Sequence, residues 1–215
     1  QHARIHIVGA NEDRQFDDLS GGEVAVDLRE DCIRHRDFAG HGIGIGERGA
    51  LACAEEACMP VEWLALLAHP SVRLGYPRAE LERLTALLEI GVLRGVSTTR
   101  DRPMDMIVAA RLAAADPYAH PACKRISDAD WDALNLLVGR ICAALQPLHD
   151  LPSPAPLKDC IGKHRACLAA LVQDESGLPP AFDESFEAFE QVFSEIAAKA
   201  TDEPGFRHGD YAALA

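Results

Sequence analysis

Residues 42–53 read GIGIGERGALAC, residues 60–69 PVEWLALLAH and residues 76–95 YPRAELERLTALLEIGVLRG. The first stretch alternates glycine with Ile43 and Ile45, the pattern of a strand that another backbone can approach closely. The second opens on Pro60, which suits the first position of a helix, and places Val61, Leu64, Ala65 and Ala68 on one side. In the third, Pro77 again suits a first helical position, and Leu81, Leu84, Leu87 and Leu88 recur at three- and four-residue steps as a buried stripe. Gly91 is the expected glycine stop of that helix. Val92, Leu93 and Val96 then form a returning extended segment.

Working outward toward the N-terminus, Arg4–Val8 (RIHIV) is a short alternating segment. Glu23–Leu28 (EVAVDL) alternates cleanly, with Val24, Val26 and Leu28 on one face. Both read as strands. Cys32 to His35 is a third short candidate, and Ala50 to Ala54 either continues the Ile43–Ile45 strand or begins a helix. Strands, two helices and a hydrophobic exit strand make a winged-helix head over residues 1–96.

Beyond the polar hinge Ser97–Arg102 the pattern turns helical throughout. Pro103 to Ala115 is one helix. Ser127 with Asp130 forms a capping box, opening a helix with Trp131, Leu134, Val138, Ile141 and Leu145 on one face. After the proline-rich turn 150–156 comes a helix from Leu157 to Val172. A last helix carries Phe182, Phe186, Phe189, Phe193 and Ile196 as its stripe. The expected fold class is therefore α+β: a small N-terminal β-sheet with the winged-helix head (1–96), an all-α bundle (103–200) and a tail (201–215). The two parts are expected to share a core.

Composition narrows the function classes. The 215 residues carry a net charge of −13, with −5 over residues 1–100 and −8 over residues 101–215. Duplex DNA would be repelled by such a chain unless a local basic face existed. No run of eighteen apolar residues is present, so no membrane partner is expected. No signal-peptide pattern opens the chain, and the seven cysteines are odd in number. Reduced thiols and a cytoplasmic location follow as expectations. The chain opens on Gln1 rather than Met, so further residues are expected before it.

Cys160, His164 and Cys167, at i, i+4 and i+7, share one face of a helix and are the candidate metal ligands. Leu171 continues the same stripe, which favours a packed face over a metal centre. His120 and Cys123 lie in the DPYAHPACK loop without a second ligand pair. Cys53 and Cys58 have the wrong spacing for a metal knuckle. The G-x-G-x-x-G from Gly44 to Gly49 lacks both the preceding strand and the acidic residue that a dinucleotide site needs. No nucleophile elbow accompanies His35, Asp37 and His41. No catalytic residue emerges, and the chain reads as a module that holds something.

The opening strands, the helix ELERLTALLE and its exit GVLR resemble the leader-peptide recognition domain of ribosomal-peptide modifying systems, the PqqD-like winged helix. The resemblance covers residues 1–96. It implies that a precursor's leader adds as an edge strand and lies against a helix, in a groove made by Ile43, Ile45, Arg78, Leu81, Arg83 and Leu84. With its helical extension the chain resembles the small partner subunits of multinuclear non-haem iron enzymes that modify cysteine-containing peptides. On that resemblance it has no active site or cofactor of its own. The iron belongs to a larger partner enzyme, and the assembly is a hetero-oligomer that takes a precursor peptide. The alternatives are a winged-helix transcription regulator with a helical dimer or ligand domain, a Cys/His metalloprotein, and an interaction protein with no peptide substrate.

Overall fold

The computed structural model describes residues 49–54, 60–94, 103–177, 184–200, 205–207 and 211, with side chains from residue 190 onward in the last helix. The α+β expectation is overturned: 73% of the described residues are helical, and they contain no sheet. Their extended pairing is an isolated antiparallel bridge between Ala155 and Phe206, with N–H···O distances of 2.9 and 2.7 Å. The segments Arg4–Val8, Glu23–Leu28 and Cys32–His35, with Ile43, Ile45, Cys58 and Val96, lie outside the described residues.

In chain order the helices are α1 (Pro60–Ala68), α2 (Arg78–Leu88), α3 (Pro103–Ala114), α4 (Pro121–Lys124), α5 (Asp128–His149), α6 (Leu157–Val172) and α7 (Glu184–Lys199). A helical turn at 49–53 precedes them. The returning segment is the second correction. Helix α2 does not stop at Gly91; it widens into a π turn, Glu89–Leu93, and the backbone becomes extended only at Arg94. Val92 and Leu93 are therefore buried helical residues rather than a wing. The reason Gly91 is glycine is space. A Cβ there would meet Ile126 Cδ1 at 2.6 Å and the Trp131 ring at 3.2 Å, so the residue permits a close helix approach instead of ending the helix.

The α2 and α5 stripes pack as their spacing predicts, but the expected apolar side of α1 does not: α1 buries Trp63, Leu66 and Leu67, while Val61, Ala65 and Ala68 are exposed and Leu64 is half-buried. Leu81, Leu84 and Leu88 are fully buried, as are Leu134, Val138, Ile141 and Leu145 of α5. Each such side chain contributes about 1.5–3 kcal/mol of burial. Ser127 accepts from the Asp130 N–H and the Asp130 carboxylate accepts from the Ser127 N–H, completing the expected capping box. One apolar cluster joins residues 50–93 to the helices beyond residue 103, with α5 running through it.

The join is fixed at residues 73–76. Arg73 and Leu74 donate their N–H groups to the Leu171 carbonyl at 2.9 and 3.0 Å, and Gly75 donates to Gln173 at 2.8 Å. Leu74 adopts φ +52°, a left-handed conformation that costs a leucine about 1–2 kcal/mol. Two contacts hold it there. Its side chain is buried, and Arg140 of α5 donates through Nη1 to the carbonyls of Leu74 (2.8 Å) and Gly75 (3.0 Å). The same guanidinium lies 4.2 Å from the centre of the Tyr76 ring. Gly75, at φ +73°, has no room for a Cβ, which would stand 2.8 Å from Arg140 Nη1.

Candidate functional site

The groove residues within the described chain are structurally committed. Leu81 and Leu84 are 0% exposed and lie in the core, so neither offers surface to a peptide. Arg78 turns back onto the end of α1. Its Nη1 donates to the His69 carbonyl at 2.7 Å and its Nη2 to the Ala68 carbonyl at 2.9 Å, satisfying acceptors that a helix end leaves open. Its Nε bonds Glu82 at 2.7 Å. Arg83 bridges Glu80 (2.8 Å) and Asp130 (2.7 Å). Its hydrogen bonds to Glu80 and then Asp130 raise its pKa. Asp130 is lowered, first by the Ser127 hydroxyl and then by Arg83. Ile43 and Ile45 lie outside the described residues.

Cys160, His164 and Cys167 share one face of α6, as their spacing predicts, and all three are buried. The His164 ring meets Phe193 edge-on at 5.6 Å and Tyr211 at 5.7 Å. Its Nδ1 lies 2.9 Å from the Tyr211 hydroxyl. Burial pushes the Cys167 thiol from an ordinary value of 9.0 to about 12. Burial, and then Asp159, raise Cys160 as well. In this core both thiols are held in the protonated form by burial. Among the described residues no group of three His, Cys, Asp or Glu side chains is placed to hold a metal ion.

The Cys167 shift has a sign for stability. Above pH 9 the unfolded chain releases a proton that the folded chain retains, so stability falls as pH rises from about 9 toward 12. Cys160 and Cys167 are expected to resist alkylation at pH 8 in the native chain and to react on unfolding. Alkylation of either in the native state at the rate of a free thiol would contradict their burial.

His120 and Cys123 are held separately. The His120 side chain accepts from the Ala122 N–H at 3.2 Å, capping α4. The Cys123 thiol donates to the Ile90 carbonyl at 3.5 Å.

Helix α3, which carries no residue of the expected site, has the sequence PMDMIVAARLAA. Met106, Ile107, Ala110 and Ala114 face the core. Met104, Val108 and Leu112, at i, i+4 and i+8, stand on the surface at 36, 58 and 71% exposure. Asp105 and Arg111 are the charged residues among its twelve. A surface helix is normally polar on its outer face, and one that is apolar all round is normally covered on both sides. Arg111 crosses to α5 and pairs with Asp128 at 2.6 Å and Asp132 at 3.1 Å. Leu136, 52% exposed, is one turn further along that face of α5. The result is an exposed aliphatic seam bordered by carboxylates. The clue in the sequence is a helix with two charges in twelve residues and apolar side chains in every direction.

No family model, curated protein or solved structure matches this chain. No helix among the described residues is long and apolar enough to cross a membrane.

Proposed function

We propose that this chain is a non-catalytic partner subunit, cytoplasmic, that docks on a larger protein through the outer face of α3. The observation carrying this reading is the row Met104, Val108 and Leu112, exposed on a helix whose opposite side is already packed. The larger protein is the metal-dependent enzyme that the resemblance implies, with a precursor peptide as its substrate. A leader-recruiting role needs a groove other than one at Leu81 and Leu84, because both are core residues.

A duplex-DNA reader has less support. On α2 the apolar face is buried, and Arg78 and Arg83 are each engaged by carboxylates. Its outer face also carries Glu80 and Glu82, which a phosphate backbone disfavours.

Co-expression with the products of neighbouring genes, followed by native mass spectrometry, tests the proposal. A complex with a larger protein is expected, gaining one peptide mass when precursor is supplied. Leu112→Asp is expected to dissolve the complex while changing folding stability by less than about 0.5 kcal/mol, as for other surface changes. A chain that stays alone, or a complex indifferent to Leu112→Asp, overturns it.

A further inference from the structure

We infer that the occupant of the α3 seam is an amphipathic helix with a basic flank, a deepening that rests on the docking reading above. The seam runs from Met104 to Leu112, eight residues along one helix face, which is about 12 Å at 1.5 Å per residue. That length suits two to three turns of a partner helix presenting aliphatic side chains at three- and four-residue steps. A larger apolar surface would favour a sheet or a domain face, and a single residue would favour none.

The border of the seam sets the partner's charge. Asp128 and Asp132 have side chains 88 and 75% exposed, and Asp105 stands on α3 beside Met104. Among the described residues, Arg111 is the cation that bridges both of these α5 carboxylates. Two exposed carboxylates against one guanidinium leave this α5 side of the border with net negative charge, within a chain of net charge −13. A partner bringing Lys or Arg to the border meets complementary charge, which accelerates encounter and fixes register. The same border disfavours the other occupants. In a two-fold contact between copies the patch faces itself, bringing Asp128 and Asp132 against their own images. Anionic lipid surfaces and nucleic acid meet the same repulsion.

The test uses the full chain and three synthetic helical peptides. The first has a leucine seam flanked by lysines, the second the same seam flanked by glutamates. The third is the lysine peptide scrambled to destroy the seam. Binding is read by fluorescence anisotropy at low and physiological salt. The lysine-flanked peptide is expected to bind at least about tenfold tighter than the glutamate one, a difference of about 1.4 kcal/mol, and the preference narrows as salt screens the border. Leu112→Asp abolishes binding, whereas Val61→Asp, on the exposed side of α1, leaves it unchanged. Equal binding of the two seam peptides, lost in Leu112→Asp, overturns the basic partner and leaves the docking face standing. Equal binding of the scrambled peptide reduces the effect to bulk charge and overturns the inference. A concentration-dependent dimer that Leu112→Asp dissolves makes a second copy the occupant and overturns it too. No binding by any peptide, or binding indifferent to Leu112→Asp, overturns both the basic partner and the docking reading.

Discussion

Arg140→Met is expected to cost about 3 kcal/mol of folding stability, because each hydrogen bond from a charged group contributes about 1.5–3 kcal/mol and this side chain makes two. Both go to backbone carbonyls of the 74–75 turn, which methionine leaves without that donor. The guanidinium's position over Tyr76 is lost at the same time. What the arginine supports is itself strained: Leu74 at φ +52° and Gly75 at φ +73°. Without Arg140 the turn still has its bonds to Leu171 and Gln173, so the chain loosens between α1 and α2 before the α5–α6 packing fails. Arg140→Lys should recover less than half of the loss, since an ammonium lacks the planar fork. Urea denaturation of the three proteins checks this through the midpoint at constant slope. A loss below about 0.5 kcal/mol, the range of ordinary surface changes, would mean that Arg140 does not tie residues 74–76 to α5.

Gly91→Ala is expected to destabilise by about 1–3 kcal/mol, the usual range for overfilling a packed site. Helix propensity alone would give the opposite sign, since alanine is better than glycine by about 1 kcal/mol inside a helix. Gly139 in α5 is the control, because a Cβ there has nothing within 4 Å; Gly139→Ala should gain up to about 1 kcal/mol. The nearest atom to a new methyl at position 91 is Ile126 Cδ1, and Ile126→Val removes that atom. The double variant Gly91→Ala with Ile126→Val should be more stable than the sum of the two single losses predicts, a coupling that a double-mutant cycle isolates. Strict additivity, or a stabilising Gly91→Ala, would contradict the close approach of the π turn to α5.

Local periodicity reached most of the helical architecture. The Leu81–Leu88 stripe, the Ser127–Asp130 capping box and the buried face of α5 follow from spacing that any helix must obey. The same reasoning misassigned Gly91, because a glycine ending a helix and a glycine admitting a neighbour look alike without knowledge of Ile126 and Trp131, more than thirty residues away. Reading a stop there produced the wing; the α+β class rested also on the candidate strands before residue 46, which lie outside the described residues. Arg78 and Arg83 were candidate peptide clamps because charge is visible in a sequence. Their partners, the carbonyls of α1 and the carboxylate of Asp130, belong to the tertiary fold. The Cys160–His164–Cys167 face was legible as a shared face, and Leu171 continues it into the core. The α3 seam was overlooked because an all-round apolar helix satisfies the core pattern, and the surplus side is seen only once the core is filled.

Hydrogen–deuterium exchange on the full chain, with and without the lysine-flanked helical peptide, addresses the docking face most directly. Slowed exchange in residues 103–114 and in the first turns of α5, with residues 78–94 unchanged, is the expected result. Protection of residues 78–94 with α3 unchanged would place binding at α2, and the α3 seam would then not be the docking face.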